Sequence, residues 1–574
     1  MNNRELADQF KLIADLLEIK GEVVYKVLAY RKVADSLNNL TQDVNELWKE
    51  GRLEEIPGVG KAIAEKIDEL LSTGKLEFLE RLKTEVPPSL TELLQVPDVG
   101  PRKAALFWKE LGITDLAGLE AAAREGKLRS LPGMGEKSEA RILAGLEALA
   151  RRGDRIPIGE AWPLAQELLA FLRKLPGVVA AEPAGSLRRM RSTVGDIDLL
   201  VASKNPGPVM AAFTGRKDVV RVLASGETKS SVEFANGLRS QIWIHPPERF
   251  GTALVYATGS KDHNVRLREL ALTMGLSLSE HSFQRKDGSE ILCDNEEKVY
   301  ETLGLQWIPP ELREDHGEVQ AAKAGKLPRL ITHDDLISDL QTHSKWSDGK
   351  LSILEMAKAA RERGFKLLAI TDHTPSLGVT GGVKIEDLAR QRAEIDAAQE
   401  ELGDSIRILQ GAEVEIRADG RLDYPDEVLA KLDIVLASVH TSLRQPRDQV
   451  TARMIAAIRN PHVDIIAHPT GRLFPNREGA DLDLEAVFSE AKKHGVALEI
   501  NAHPARLDLD DTNARRAMEL GILLTINSDA HSPADFDLAF FGVAIARRAW
   551  VTPEAVINAW PVEKQLAWLK NRGG

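Results

Sequence analysis

One cysteine, Cys293, stands in 574 residues. An internal disulfide is excluded, as is any zinc site built on thiolates, and such usage fits a reducing compartment. No apolar run approaches the ~18–20 residues that span a bilayer. The opening MNNRELADQF lacks the apolar stretch of a secretory signal. A cytoplasmic protein without membrane contact is the expectation. Positive charge is in short supply too: 75 Lys+Arg against 87 Asp+Glu give a formal net charge of −12. A polyanionic partner would then have to be met by local cations, backbone N–H groups and bound metals, not by overall charge.

What is present is the 43% hydrophobic, 28% charged composition of a globular chain, in a length that calls for several cores. Residues 1 to about 150 read as helices joined by Gly-containing turns. Three related segments recur there: IPGVGKAIAEKI (56–67), VPDVGPRKAALFW (96–108) and LPGMGEKSEARIL (131–143). In each, an apolar-Pro-x-x-Gly stretch precedes an amphipathic helix. Gly58, Gly60, Gly100, Gly133 and Gly135 allow left-handed turns and close approach, and each following helix offers unpaired N–H groups to a phosphate. A plain helix-loop-helix turn explains one such copy less strainedly than three.

From about 151 to 316 the pattern is mixed α/β, with strand-like runs at DIDLLVAS, KDVVRVLA, KSSVEFA and RSQIWIHP. Asn236-Gly237 is the dipeptide of a two-residue hairpin turn. That turn puts Glu233 opposite Ser240, on the face away from Gln241. A Pro-flanked, charged linker follows at 317–334. The last third repeats short apolar runs that end in His, Asp or Glu: LISDLQTH, KLLAITDH, RILQGAEVEI, DIVLASVH, VDIIAHP, VALEINAHP and ILLTINSDAH. Seven β-then-α units with such residues at the strand C-termini predict an irregular (β/α)7 barrel with its site on that face.

Within GSLRRMRSTVGDIDLLV (185–201), Gly185-Ser186 offers N–H and hydroxyl donors, and Arg188, Arg189 and Arg191 offer cations. Asp196 and Asp198, at i and i+2 on a strand, share one face. Carboxylates held that close repel unless a cation lies between them. Donors for a polyphosphate beside paired carboxylates fit Mg²⁺- or Mn²⁺-assisted phosphoryl transfer.

GSLRR…GDIDLLV, YATGSKDHN (256–264) and the three hairpin segments resemble a family X DNA polymerase of the polymerase beta type, over about residues 5–316. The resemblance implies a helical lyase-like domain (1–85), a helix-hairpin-helix fingers-like domain (86–150), a palm nucleotidyltransferase domain (151–245) and a thumb-like domain (246–316). Gly185, Ser186, Arg189 and Gly195 would hold the triphosphate, Asp196 and Asp198 the Mg²⁺ or Mn²⁺ ions, and Tyr256, Gly259 and Asn264 the nucleotide. The chain departs from the family at Ala257, where an aromatic is usual, and at Gln241, where a third aspartate is. A glutamine ligates through its oxygen but accepts no proton from a 3′-hydroxyl. In YKVLAYRKVADSL and GVGKAIAEKIDELL, Lys66 matches the Schiff-base lysine of the family's 5′-deoxyribose phosphate lyase. Lys26 and Tyr30 match its 5′-phosphate contacts, and Ala62 replaces a further lysine.

Residues 335–574 resemble the PHP phosphoesterase domain that many bacterial family X polymerases carry. Implied ligands are His343, Asp348, His373, Glu413, His440, His468, Asp529 and His531, with Glu413 bridging two of three metals and Gln341 where the family has the first His of H-x-H. Mixed N/O ligation suits Mn²⁺ or Zn²⁺. The combined reading is a monomeric repair polymerase that fills gaps from dNTPs on gapped, nicked or primer-template DNA, with metal-dependent 3′→5′ hydrolysis in its barrel. Two alternatives stay open: a barrel that hydrolyses small phosphomonoesters, and a DNA-end scaffold with weakened catalytic sites.

Overall fold

The computed structural model describes every residue except 2, 39, 41–42, 95, 97–98, 152–154, 236, 378–379, 475–476 and 573–574. The chain divides into two compact units, residues 1–154 and 155–574.

In the first unit the helix starts and stops follow their glycines. Lys61–Thr73 begins after Gly60 and ends on Gly74 in the left-handed region (φ 71°). Pro101–Leu111 begins on proline after Gly100 and ends on Gly112 (φ 67°). The apolar stripes of these helices, Ile67 and Leu70 on one and Ala104 and Phe107 on the other, enter a single core with Phe10, Val33, Leu119 and Ile142. Their N-terminal turns stay on the surface.

The second unit begins with a five-stranded sheet. Its strands are β1 (Val178–Pro183), β2 (Ile197–Ser203), β3 (Val219–Ser225), β4 (Lys229–Phe234) and β5 (Arg239–His245), in the spatial order β1-β2-β5-β4-β3. The central pair β2 and β5 is parallel, and Asp198 stands directly beside Gln241. Three short strands, β6 (Leu276–Leu278), β7 (Phe283–Arg285) and β8 (Glu290–Ile291), form a separate sheet against the helix Lys261–Thr273.

Seven parallel strands then run in sequence order: β9 (Ser338–Thr342), β10 (Leu367–Ile370), β11 (Arg407–Glu415), β12 (Ile434–Ser438), β13 (Ile465–Ile466), β14 (Ala497–Asn501) and β15 (Leu524–Asn527). Each falls on one of the seven apolar runs. A parallel bridge between Thr342 and Ala530 brings the first and last strands together, so the barrel nearly closes with seven. Strand interiors are buried on both faces, as a helix-wrapped parallel sheet requires.

Sheet and barrel are joined by packing. Palm residues from Ile158 to Ile244 and barrel residues from Ile353 to Val556 belong to one hydrophobic cluster. The Trp162 and Phe540 rings lie 5.1 Å apart. A Cβ on Gly159 would come within 2.6 Å of Pro504. The 317–334 segment contains the helix Glu318–Lys323, and Val319, Ala322 and Leu330 are buried in the core of the β6–β8 region.

Candidate active sites

The palm site is built around a close approach. Gly185 opens a one-turn helix at φ 59°, and a Cβ there would sit 2.1 Å from Asp198 Oδ2. Any other side chain would displace the carboxylate, so glycine is required for space as well as for conformation. The Ala184 N–H donates to the Asp198 carbonyl at 2.8 Å, which ties the turn to β2. Asp198 on β2 and Asp196 in the bend just before it are half-buried; Asp196 does not lie on the strand as the i, i+2 reading expected. Burial, aided by the Asp196 charge and opposed by a hydrogen bond from Gln241 Nε2, raises the Asp198 carboxyl to about 6. Gln241 Oε1 accepts a long bond from Trp243 Nε1 at 3.4 Å.

The three arginines separate into different roles. Arg188 is committed to Glu296 through two bonds of 2.7 and 2.9 Å and to Thr258 Oγ1 at 2.7 Å. Arg189 reaches the Thr258 carbonyl at 2.6 Å, beside Gly259. Gly259 (φ 72°) precedes Ser260, whose hydroxyl caps the next helix, and Asn264 Nδ2 donates to the Tyr256 carbonyl at 2.8 Å. Gly195 has open space around its Cα. The turn, the aspartates and the YATGS loop thus border one surface.

One expectation fails here. Glu233 pairs with Arg239, not with Ser240, because β4 and β5 are in register as Lys229–Trp243, Ser231–Gln241 and Glu233–Arg239. Phe234 N–H donates to the Leu238 carbonyl, and the connection is one residue longer than a two-residue turn, with Gly237 at φ 80°. Asn236 lies outside the described residues. A one-residue slip exchanges faces, so Glu233 shares the face of Gln241 and Asp198. It is buried, with Arg239 3.9 Å away.

At the barrel's C-terminal rim, every residue expected as a ligand follows a strand except Glu413, which lies within β11 two residues before its end, and Asp348. Three groups bring their ligand atoms within 4.8 Å: His343, Asp348, His373 and His531; His373, Glu413 and His440; His343, Glu413 and Asp529. Glu413 sits at the centre, with Oε1 2.8 Å from His468 Nε2 and 3.4 Å from His440 Nε2, and Oε2 3.4 Å from His343 Nε2. Asp348 enters from the loop after β9. Gly349 permits that path, since a Cβ there would lie 2.4 Å from the His343 carbonyl. His468 (φ 29°) and Asp529 (φ 57°) adopt left-handed backbone at a cost of about 1–3 kcal/mol each. Burial brings the His373 imidazole down to about 4, while Asp529 and Glu413 outweigh burial and raise His343 well above its ordinary range.

Gln341 is fully buried in this cluster and donates through Nε2 to Glu413 Oε2 at 3.0 Å. Its Oε1, His343 Nδ1 and His468 Nδ1 are buried with no hydrogen-bond partner. Lone pairs left unused around a central carboxylate fit divalent cations better than a self-sufficient hydrogen-bond network.

Sequence reading missed the supports. Glu415 accepts from His440 Nδ1 at 2.9 Å, and Glu499 accepts the His468 backbone N–H at 2.7 Å. Asn501 Nδ2 donates to Asp529 Oδ2 at 3.1 Å. Glu415 was legible in principle, since it lies two residues beyond Glu413 on the same strand face. In the first unit, Lys26 and Lys66 both place Nζ within 6 Å of the Phe78 ring centre, at 5.8 and 5.6 Å. Tyr30 is 7% exposed, its ring 6.0 Å from both Phe10 and Phe78. Gly58 (φ 87°) and Gly133 (φ 73°) adopt the left-handed turn.

Known families match four stretches: a helix-hairpin-helix domain at residues 1–76, a SAM-like helix-hairpin-helix tandem at 90–148, a DNA polymerase beta thumb at 253–314 and a PHP domain at 339–503. Together with the palm and the barrel they define a beta-type polymerase core followed by a phosphoesterase barrel. The DNA polymerase/3′-5′ exonuclease PolX of Bacillus subtilis is 39% identical over 573 residues, covering 99% of this chain and all of that protein. A probable phosphatase of Thermoanaerobacter is 33% identical over 250 residues, 41% of this chain and 96% of its own. One from Shewanella oneidensis is 33% identical over 222 residues, 36% of this chain and 81% of its own. The chain belongs to the PolX family, the family X DNA polymerases that carry a PHP domain. No helix among the described residues is long and apolar enough to cross a membrane.

Proposed function

We propose that this chain extends DNA 3′ ends from dNTPs in its palm and shortens them by hydrolysis in its barrel. The observation that carries the reading is end-to-end similarity to a relative named for both activities, in a chain whose palm and barrel each gather a carboxylate-centred site.

In the palm, Asp196 and Asp198 would hold Mg²⁺ or Mn²⁺, and Gly185, Ser186, Arg189 and Gly195 the triphosphate. Tyr256, Gly259 and Asn264 would line the nucleotide. Bound divalent ions would neutralise phosphate charge and acidify the attacking 3′-hydroxyl. Asp198 must be ionised to ligate, and its carboxyl, raised to about 6, is largely so at neutral pH. Gln241 steadies Asp198 by hydrogen bond but takes no proton. In the barrel, His343, Glu413 and Asp529 would form one position, Glu413, His440 and His468 a second, and Asp348, His373 and His531 a third, for Mn²⁺ or Zn²⁺. His373 also reaches the second position, its Nδ1 being 3.5 Å from Glu413 Oε2. Glu415 would keep the His440 imidazole oriented, and Glu499 would hold the His468 backbone in place.

The first unit would grip DNA through phosphates at Gly58, Gly60, Gly100, Gly133 and Gly135. Lys66 would attack a 5′-deoxyribose phosphate, with Lys26 and Tyr30 at the phosphate, in the setting of gap repair by a cytoplasmic monomer. The test uses the whole chain with gapped DNA plus dNTP, 3′-labelled single-stranded DNA, and a phosphomonoester such as p-nitrophenyl phosphate. Extension and 3′-end hydrolysis exceeding monoester turnover are expected. Monoester turnover alone would replace the exonuclease reading with a phosphatase, and neither extension nor hydrolysis would leave a DNA-end scaffold.

A further inference from the structure

The palm's phosphate turn is finished by a residue from the barrel. Arg189 Nε donates to Glu314 Oε1 at 3.0 Å. The same oxygen accepts from Arg548 Nη1 at 3.0 Å, and that nitrogen also donates to the backbone carbonyl of Arg189 at 2.7 Å. Arg548 ends the helix Ala539–Arg548, which follows β15 of the barrel. Its other edge is fixed by Asp511, with Nε 2.8 Å and Nη2 2.6 Å from Oδ2. Asp511 opens the helix Asp511–Glu519, just after the loop that carries His503 and Arg506. The Arg548 side chain is 2% exposed and that of Glu314 13%.

A guanidinium offers five donors in a rigid plane, so one arginine can hold two carboxylates and a carbonyl at fixed angles; a lysine cannot. The charge count matters as much. Arg189, Arg548 and Arg191, which lies 3.9 Å from Glu314, face two carboxylates, Glu314 and Asp511. With Arg155, whose charge also acts on Arg189, Arg191 and Glu314, these cations outnumber the two carboxylates beside the turn that begins at Gly185-Ser186. Without Arg548 that excess shrinks and the fork that holds Glu314, Asp511 and the Arg189 carbonyl is gone. Glu314 then draws Arg189 to itself, the Arg189 carbonyl loses its donor, and Asp511 loses a buried partner.

We propose that Arg548 is a positioning residue of the polymerase site: from the barrel it clamps the turn Gly185–Arg189 and keeps Arg189 available to a nucleoside triphosphate. The inference rests on the nucleotide-site reading given above. It gives the fused barrel a role in nucleotide binding that is separate from its own chemistry.

The whole chain, bound to gapped DNA with a dideoxy-terminated primer, is titrated with the templated dNTP in Mn²⁺. Removing a charge-assisted fork of this kind is expected to weaken dNTP binding about 5- to 30-fold in Arg548→Met. Arg548→Lys, which keeps the charge but not the fork, should fall in between. The 3′-end hydrolysis of both should stay within about twofold of the parent, a split that general loosening of the fold would not give. Arg189→Met serves as the reference. If it loses dNTP affinity while Arg548→Met keeps it, the clamp is wrong; if it keeps affinity, the nucleotide-site reading itself falls, and the clamp with it. Should Arg548→Met lose hydrolysis as well, Arg548→Lys decides: intermediate affinity with intact hydrolysis supports the clamp, and parental affinity overturns it.

Discussion

Two glutamines invite comparison. Gln241 and Gln341 each stand where the resemblance implies a charged or imidazole ligand, and each donates its amide N–H to a carboxylate, Asp198 and Glu413 respectively. Their surroundings differ. Gln241 is half-buried on the sheet face it shares with Asp198, with two aspartates as the only other ligands named there. Gln341 is fully buried among overlapping groups in which His343, His373 and Glu413 each serve twice. Losing one donor from a redundant, enclosed cluster weakens one position. Losing one carboxylate from a site with two named aspartates removes a larger share of its charge, unless Glu233, buried on the same face, supplies it. The same residue should therefore tune the barrel and limit the palm.

The largest effects would come from breaking each site at its centre. Asp198→Ala should abolish nucleotide incorporation on gapped DNA while 3′-end hydrolysis persists; incorporation in that variant would refute the assignment. His343→Ala or Glu413→Ala should abolish hydrolysis and lower metal content, with DNA binding retained. If binding falls in parallel, the barrel grips DNA and its catalytic reading loses support.

The glutamines themselves should give smaller and unequal responses. Gln241→Asp restores a charge and a proton acceptor, whose absence typically costs ~10²–10⁴ in rate. Mg²⁺-supported incorporation should rise at least about tenfold, and the parent should favour Mn²⁺ over Mg²⁺. No rise, combined with lost incorporation in Glu233→Gln, would move the third-ligand role to Glu233. Gln341→His should tighten barrel metal and speed hydrolysis only modestly; a gain as large as that in the palm would erase the contrast.

Proton competition supplies the smallest test. Asp198, raised to about 6, is protonated as pH falls through that value, so incorporation should decline below it even with metal in excess. His343 has its imidazolium favoured by Asp529 and Glu413, so metal binding there expels a proton and tightens as pH rises. Calorimetry of metal binding in two buffers of different ionisation enthalpy counts that proton.

Much of this was legible because it is local. Seven runs ending in polar residues gave seven strands, since a parallel strand buried on both faces must be apolar throughout. Gly58 and Gly133 mark left-handed turns that few other residues can make, whereas Gly60, Gly100 and Gly135, expected to do the same, lie in ordinary backbone with open space around them. The β4–β5 register was not legible: one residue of loop length decides which face Glu233 occupies, and Asn236-Gly237 alone does not set that length. Nor was Arg548, because it meets the Arg189 carbonyl across 359 positions of sequence. No spacing rule reaches that far. The helix within 317–334 was hidden for a related reason, its few apolar residues being buried by partners elsewhere in the chain.

The core that runs unbroken from palm to barrel binds the two chemistries to a common fate. Trp162 against Phe540 and Gly159 against Pro504 leave no surface at which one half can be peeled away without baring apolar groups. Synthesis and erasure of DNA ends are thereby held at fixed stoichiometry in every molecule. Unfolding of that shared core is expected to take both sites together, so point changes within one site, not truncation of this chain, are the way to separate the two activities.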